Sequence, residues 1–162
     1  MAQIQKKGES NSIATQYVTF SLGTEVYGIP ITKLNEIIAY QELTALPNVP
    51  SFIKGILNLR GTAVPVIDMR ERFNLERKDY DQFTVIMILD VAGRTMGLVV
   101  DSVSDVLTID QESIKPSPQF SSSINTKYIE GMVGYDNGRK FIMLLDVDRI
   151  FTDEELNIVD GV

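Results

Sequence analysis

The second half of this chain repeats the first, and that repeat limits the fold more than any other feature. The segment YVTFSLGTEVYGIPITKLNEI lies over TVIMILDVAGRTMGLVVDSVSDV, so that Gly28 answers Gly97, Leu34 answers Val103 and Glu36 answers Asp105. Further along, FIKGILNLRGTAVPVIDMRERF lies over YIEGMVGYDNGRKFIMLLDVDRIF, with Gly55 answering Gly131, Asp68 answering Asp146 and Phe73 answering Phe151. Each copy reads as strand, hairpin, one helical turn, loop, hairpin and helical turn. Many short strands at tight spacing imply small closed barrels. Two copies imply two barrels with a groove between them, and such grooves are common binding sites. The expected class is mainly β with short helices. The expected division is a tail over 1–13, a first barrel over 14–80, a second over 81–152, and a short acidic helix or tail over 153–162.

Local signals fill in this outline. Val18, Phe20 and Leu22 alternate with polar residues, the pattern of a half-buried strand, and Val26–Ile29 returns as its hairpin partner until Pro30 stops the ladder. Ile31, Leu34 and Ile38 are spaced at three and four, which predicts a helical turn or two. Pro50 suits the first position of a short helix over 51–54, with Gly55 as its left-handed exit. Ile56–Leu59 and Ala63–Ile67 read as a hairpin around Arg60-Gly61, with Pro65 placing the return strand at an edge or bulge. Asp68, followed three residues later by Glu71, has the capping-box pattern, and Thr152 with Glu155 repeats it at the acidic end. Thr84–Leu89 and Thr95–Val100 pair around Gly93, and Asn137-Gly138 marks the hairpin between Tyr128–Val133 and Lys140–Leu145. Ile109, Ile114 and Pro116 lead into a Ser- and Pro-rich loop reaching Ser123.

Composition removes whole classes of chemistry. The chain has no cysteine and no histidine. Thiolate nucleophiles, Ser-His-Asp triads, imidazole bases, phosphohistidine transfer and ordinary zinc sites all lack their residues. Carboxylate pairs exist at Asp101/Asp105 and Asp146/Asp148, yet no calcium-loop spacing or GxxxxGK phosphate loop accompanies them. No cofactor or metal is expected, and no enzyme. A net charge of -7 opposes nucleic-acid binding and attraction to an anionic membrane surface. The first residues lack the apolar core of a signal peptide, and the longest apolar runs, such as VIMIL, are far too short to span a bilayer. A cytoplasmic protein is expected.

The segment LPNVPSFIKGILNLRGTAVPVIDMRERF resembles the central signature of CheW proteins, and FSLGTEVYGIPITKLNEI, GLVVDSVSDVLTI, IKPSPQF and TKYIEGM are similar to its flanks. No single motif is a chemical fingerprint; the order and density of matches carry the resemblance, from about Tyr17 to the end. It implies two SH3-like five-stranded β-barrels and an adaptor without catalytic activity. The implied partners are the cytoplasmic hairpin tips of chemoreceptors, the regulatory domain of the histidine kinase CheA, and other CheW copies. The implied location is the inner face of the membrane, reached through receptor arrays and not by insertion.

The resemblance also assigns residues, each of which has a plainer reading. Arg60 matches an arginine important for receptor coupling, but is also an ordinary turn cation. Gly55 matches a glycine near the receptor site, but also fits a helix exit. Leu34 and Val85 match groove-lining positions, although periodicity alone fits a core. Glu36, beside Leu34, supplies a rim charge or a solvated carboxylate. The implied kinase contacts are Lys115 and Phe120 in the second half and Ile38, Tyr40 and Leu43 in the first; the alternative is loop residues folding back on their own barrel.

Overall fold

Ten strands build the molecule, five from each copy of the repeat. The computed structural model describes residues 13–116 and 128–161. The first copy supplies β1 (Ala14–Leu22), β2 (Glu25–Pro30), β3 (Leu34–Ala39), β4 (Ile53–Leu59) and β5 (Thr62–Asp68). The second supplies β6 (Val85–Val91), β7 (Arg94–Val100), β8 (Ser102–Asp110), β9 (Ile129–Tyr135) and β10 (Lys140–Leu145). Helix α1 (Met69–Arg72) follows the first set and α2 (Asp153–Asp160) the second.

Neither sheet is made from one copy. One is ordered β8-β1-β2-β10-β9 and the other β3-β6-β7-β5-β4. Numbered within its own copy, each sheet runs third, first, second, fifth, fourth. The first hairpin of each copy pairs with the last three strands of the other. The parallel registers match as well: Gly28 lies opposite Leu144 and Gly97 opposite Val66. The expected division at residue 80 therefore does not separate the barrels, because β1–β2 and β6–β7 have changed places. We call the sheet containing β1 barrel A and the sheet containing β3 barrel B.

Each sheet closes through a segment that follows its edge strand. Thr44 N donates to Ile56 O at 2.9 Å and Ile56 N to Thr44 O at 2.8 Å, joining the chain after β3 to β4. Lys115 and Met132 make the same reciprocal pair, both at 2.8 Å, joining the chain after β8 to β9. The result is two SH3-like barrels.

The apolar runs follow from burial on both faces. Along β6, Ile86 and Ile88 point into barrel B with Leu57, Val64, Val66 and Val99. Met87, Leu89 and Val91 point the other way, into a layer between the barrels that includes Phe20, Leu22 and Ile29 from barrel A. Tyr17, Ile109, Ile142 and Leu144 fill barrel A. Leu156 and Val159 fasten α2 onto the layer between the barrels. Its Thr152–Glu155 capping box forms as expected.

Four local readings change. The residues spaced as a helix form one 3-10 turn, Ile31–Lys33, and then strand β3. Ser102–Asp110 is a strand too, its counterpart in the repeat. Residues 51–54 form a turn and the start of β4, with Ile53 N donating to Pro50 O at 3.0 Å. Gly55 lies inside β4, not at a helix exit. β5 is an interior strand, but its parallel ladder to β7 begins at Val66, after Pro65.

Candidate functional site

Eight of the ten candidate residues fall on barrel B. Leu34, Glu36 and Ile38 lie on β3, an edge strand paired only with β6. A register shift between Leu34 and Glu36 turns them to different sides, although residues two apart normally share a face. Leu34 packs, partly exposed, against the layer between the barrels, whereas Ile38 packs into barrel B. Ile37, which sequence reading missed, stays 39% exposed on this edge. No alternation in LNEIIA signals it, because the register shift breaks the period of two and leaves a helix-like spacing. Val85 packs on the same layer as Leu34 but opposite Ala39, at the far end of the β3/β6 ladder from the Leu34–Leu89 pair. Four residues of strand separate them, roughly 13 Å.

Arg60 reaches this strip across the seam of the barrel. It is the first residue of a two-residue turn whose members, Arg60 and Gly61, both have positive φ, 52° and 88°. That turn suits the twist of β4 and β5, and Asn58 Oδ1 accepts from Gly61 N at 2.8 Å. From there the guanidinium donates to Glu36 Oε1. β3 and β4 are the two edges of this sheet, so the pair spans the seam that the Thr44–Ile56 bridge closes further along. The hydrogen bond from Arg60 holds the Glu36 carboxyl below its usual pKa and raises that of Arg60. Arg60 remains 72% exposed, so salt screens the attraction. Its guanidinium is left facing solvent with donors to spare.

Gly55 and Leu43 meet at the closing segment. Gly55 has φ +153°, and a Cβ there would lie 2.4 Å from Thr44 O and 3.2 Å from Leu43 Cβ. The backbones cross too closely for any side chain. Tyr40 N donates to Thr84 O at 3.2 Å. The Tyr40 ring packs on Tyr80 with centroids 4.3 Å apart, and Tyr80 Oη donates to Asp68 Oδ2 at 2.5 Å. Burial foremost, with Asp68 and Glu42 nearby, raises the Tyr40 pKa. Ile38, Tyr40 and Leu43 thus cap one end of the barrel B interior while remaining half-buried.

Lys115 is exposed, far away in the closing segment of barrel A. Phe120 lies outside the described residues. Val103, matched to Leu34 by the repeat, packs half-buried on the same layer between the barrels.

Three of the four paired carboxylates do structural work. Asp101 accepts from both Arg70 Nε (2.8 Å) and Nη2 (2.6 Å), and from Gly23 N at 2.9 Å. Asp146 caps a 3-10 turn through Asp148 N, and Asp148 pairs with Lys33 and accepts from Ala92 N. Among the described residues no three Asp or Glu side chains are grouped as metal ligands, and no helix is long and apolar enough to cross a membrane. The arrangement among these residues offers surfaces for binding, and Asp101, Asp146 and Asp148 serve the fold.

Comparisons with known proteins agree with this architecture. The family described as CheW-like domain matches residues 16–155. A chemotaxis protein CheW from Klebsiella aerogenes is 40% identical over 151 residues, covering 93% of this chain and 90% of that protein. One from Treponema pallidum is 33% identical over 145 residues, covering 87% and 84%. The crystal structure of the scaffolding protein TtCheW from Thermoanaerobacter tengcongensis superposes with a TM-score of 0.79 at 34% identity, covering 88% of this chain and 96% of that one.

Proposed function

The chain belongs to the CheW-like domain family, and from that premise we propose that it is a non-enzymatic chemotaxis adaptor linking chemoreceptors to the histidine kinase CheA. It acts in the cytoplasm beneath receptor arrays. The receptor's cytoplasmic hairpin tip takes the strip of Leu34, Glu36, Gly55, Arg60 and Val85. The kinase's regulatory domain takes the barrel ends around Ile38, Tyr40 and Leu43 and around Lys115 and Phe120.

The observation that carries this reading is the edge position of β3. That edge combines half-exposed apolar side chains with a guanidinium that, beyond its bond to Glu36, has donors to spare. A receptor helix lays apolar residues on such a strip and gives Arg60 a second acceptor. Because the contacts are modest, pairwise binding is weak, and an array strengthens it through effective concentration. Signal passes if the receptor's two states differ in affinity for the adaptor–kinase unit by about 1–3 kcal/mol.

The test is kinase autophosphorylation with a receptor cytoplasmic fragment, with and without this protein. Activation is expected only when all three are present. Arg60→Ala is expected to reduce receptor-dependent activation by about fivefold or more while leaving the melting temperature unchanged, because the side chain is exposed. Leu34→Asp is expected to reduce it too, at a folding cost of about 1–3 kcal/mol. Full activation by both variants would refute the assigned site. No activation by the unaltered protein, with receptor and kinase from the same source, would refute the adaptor role.

A further inference from the structure

The two barrels match strand for strand but differ on one outer face. In barrel B, Ala63 on β5 lies opposite Asn58 on β4. At the matching positions of barrel A, Phe141 on β10 lies opposite Gly134 on β9. Phe141 is 43% exposed. Next to it is the cross-strand pair Met132–Met143, and these residues line a depression of about 470 Å3 together with Tyr135, which packs toward the barrel A interior.

Charge supplies the second observation. Among the described residues, eight lysines and arginines are held in ion pairs. Arg139 and Lys140 are not among those eight, and they adjoin each other on the rim of this depression. Both are exposed. The acid on the rim, Glu25, accepts from Thr24 Oγ1 at 3.2 Å. In a chain of net charge -7, the depression is lined by two adjacent cations outside those pairs and by one acid, Glu25, a small positive balance beside an exposed aromatic.

We propose that this face of barrel A is a docking surface for an acidic amphipathic segment of a partner protein, distinct from the β3 strip. An apolar side chain of the partner lies over Phe141 and the two methionines, whose flexible thioethers adapt to it. Adjacent carboxylates pair with Arg139 and Lys140. Two cations are too few to hold an acidic protein on an anionic bilayer, at about 1 kcal/mol each, so a peptide is the fitting occupant.

The experiment is fluorescence anisotropy of the full chain with two labelled helical peptides and with phosphatidylglycerol vesicles. One peptide has a glutamate polar face and a leucine–phenylalanine apolar face; the other has lysine at each glutamate. Saturable binding of the glutamate peptide alone is expected. It should weaken about tenfold in Phe141→Ser and in the double variant Arg139→Glu/Lys140→Glu. Phe141 also covers Gly134, where an added Cβ would sit 4.0 Å from the ring; if Phe141→Ser loses its thermal transition, the charge variant decides alone. Equal binding of both peptides, no binding of either, unweakened binding by the charge variant, or preference for the vesicles would each overturn the proposal.

Discussion

Gly55→Ala is expected to open the seam of barrel B. The added methyl carbon would lie 2.4 Å from Thr44 O, and the obstacle is backbone, so no rotamer change relieves it. The residue would also be held at φ +153°, a region that costs a side-chain-bearing residue about 1–3 kcal/mol. Relief requires the closing segment to lift away, which breaks the reciprocal Thr44–Ile56 hydrogen bonds at about 1 kcal/mol each. The total is on the order of 3–5 kcal/mol. Hydrogen exchange at the Thr44 and Ile56 amides should accelerate in step with the lowered melting temperature. Gly131→Ala is expected to cost less. There the nearest obstacle, at 2.4 Å, is the Ile114 side chain, with Lys115 O behind it at 2.9 Å, and no positive φ adds to the clash. Equal effects of the two substitutions, or continued protection of Thr44 in Gly55→Ala, would contradict this account. It also means that loss of coupling in a Gly55 variant is a barrel defect first; a contact defect needs Arg60→Ala to establish it.

Asp101→Ala is expected to be as damaging, for an electrostatic reason. Asp101, after β7, accepts two hydrogen bonds from Arg70 on α1 and one from Gly23 in the β1–β2 turn. The Arg70 and Asp101 side chains are only 15% and 14% exposed. Removing the carboxylate leaves a largely buried guanidinium without its counter-charge, at about 3–5 kcal/mol, or roughly 10 °C in melting temperature for a chain of this size. Asp101→Asn retains an acceptor for Gly23 and should lose less. The pH dependence has a definite sign. Burial alone would push the Asp101 pKa up, but Arg70 and the Gly23 N–H bring it below the ordinary value. The unfolded chain therefore takes up the proton first. The contribution of Asp101 is complete above about pH 4 and disappears as pH falls through the lower folded value. Acid unfolding curves should show a steeper fall below that pH in the unaltered protein than in Asp101→Asn. Parallel curves would mean that the pair contributes nothing.

Both sites contain signals that the sequence displayed without revealing their use. Gly55 and Gly131 stood out as matched glycines, but a glycine that permits a turn and one that permits two backbones to cross look alike in one dimension. Asp101 was visible only as one of several carboxylates; its partner Arg70 lies 31 residues away. The β hairpins were legible because their turns carry glycine, at Gly61, Gly93 and Gly138, which accepts positive φ without a Cβ penalty. The edge strands β3 and β8 were not. They pair on one side only, and β3 carries a bulge that breaks its alternation into a helix-like spacing. That same irregularity separates Leu34 from Glu36, so what obscured the strand also shapes the strip. The repeat announced two copies of one unit. It was silent on exchange, because a hairpin that pairs within its own copy and one that pairs with the other copy need the same residues.

That exchange has a consequence for how the molecule comes into being. A chain stopped after residue 80 carries five strands belonging to two different barrels and no complete sheet. Two such half-chains would complete each other as a symmetric dimer, each lending its first hairpin, and this protein is in geometry that dimer fused into a single polypeptide. On the ribosome, barrel A must wait for β10 to emerge, and barrel B closes only after β7 has joined strands already made. Neither barrel can be cut out and expressed alone along the sequence boundary, so a surface mapped on one barrel has always to be studied in the presence of the other.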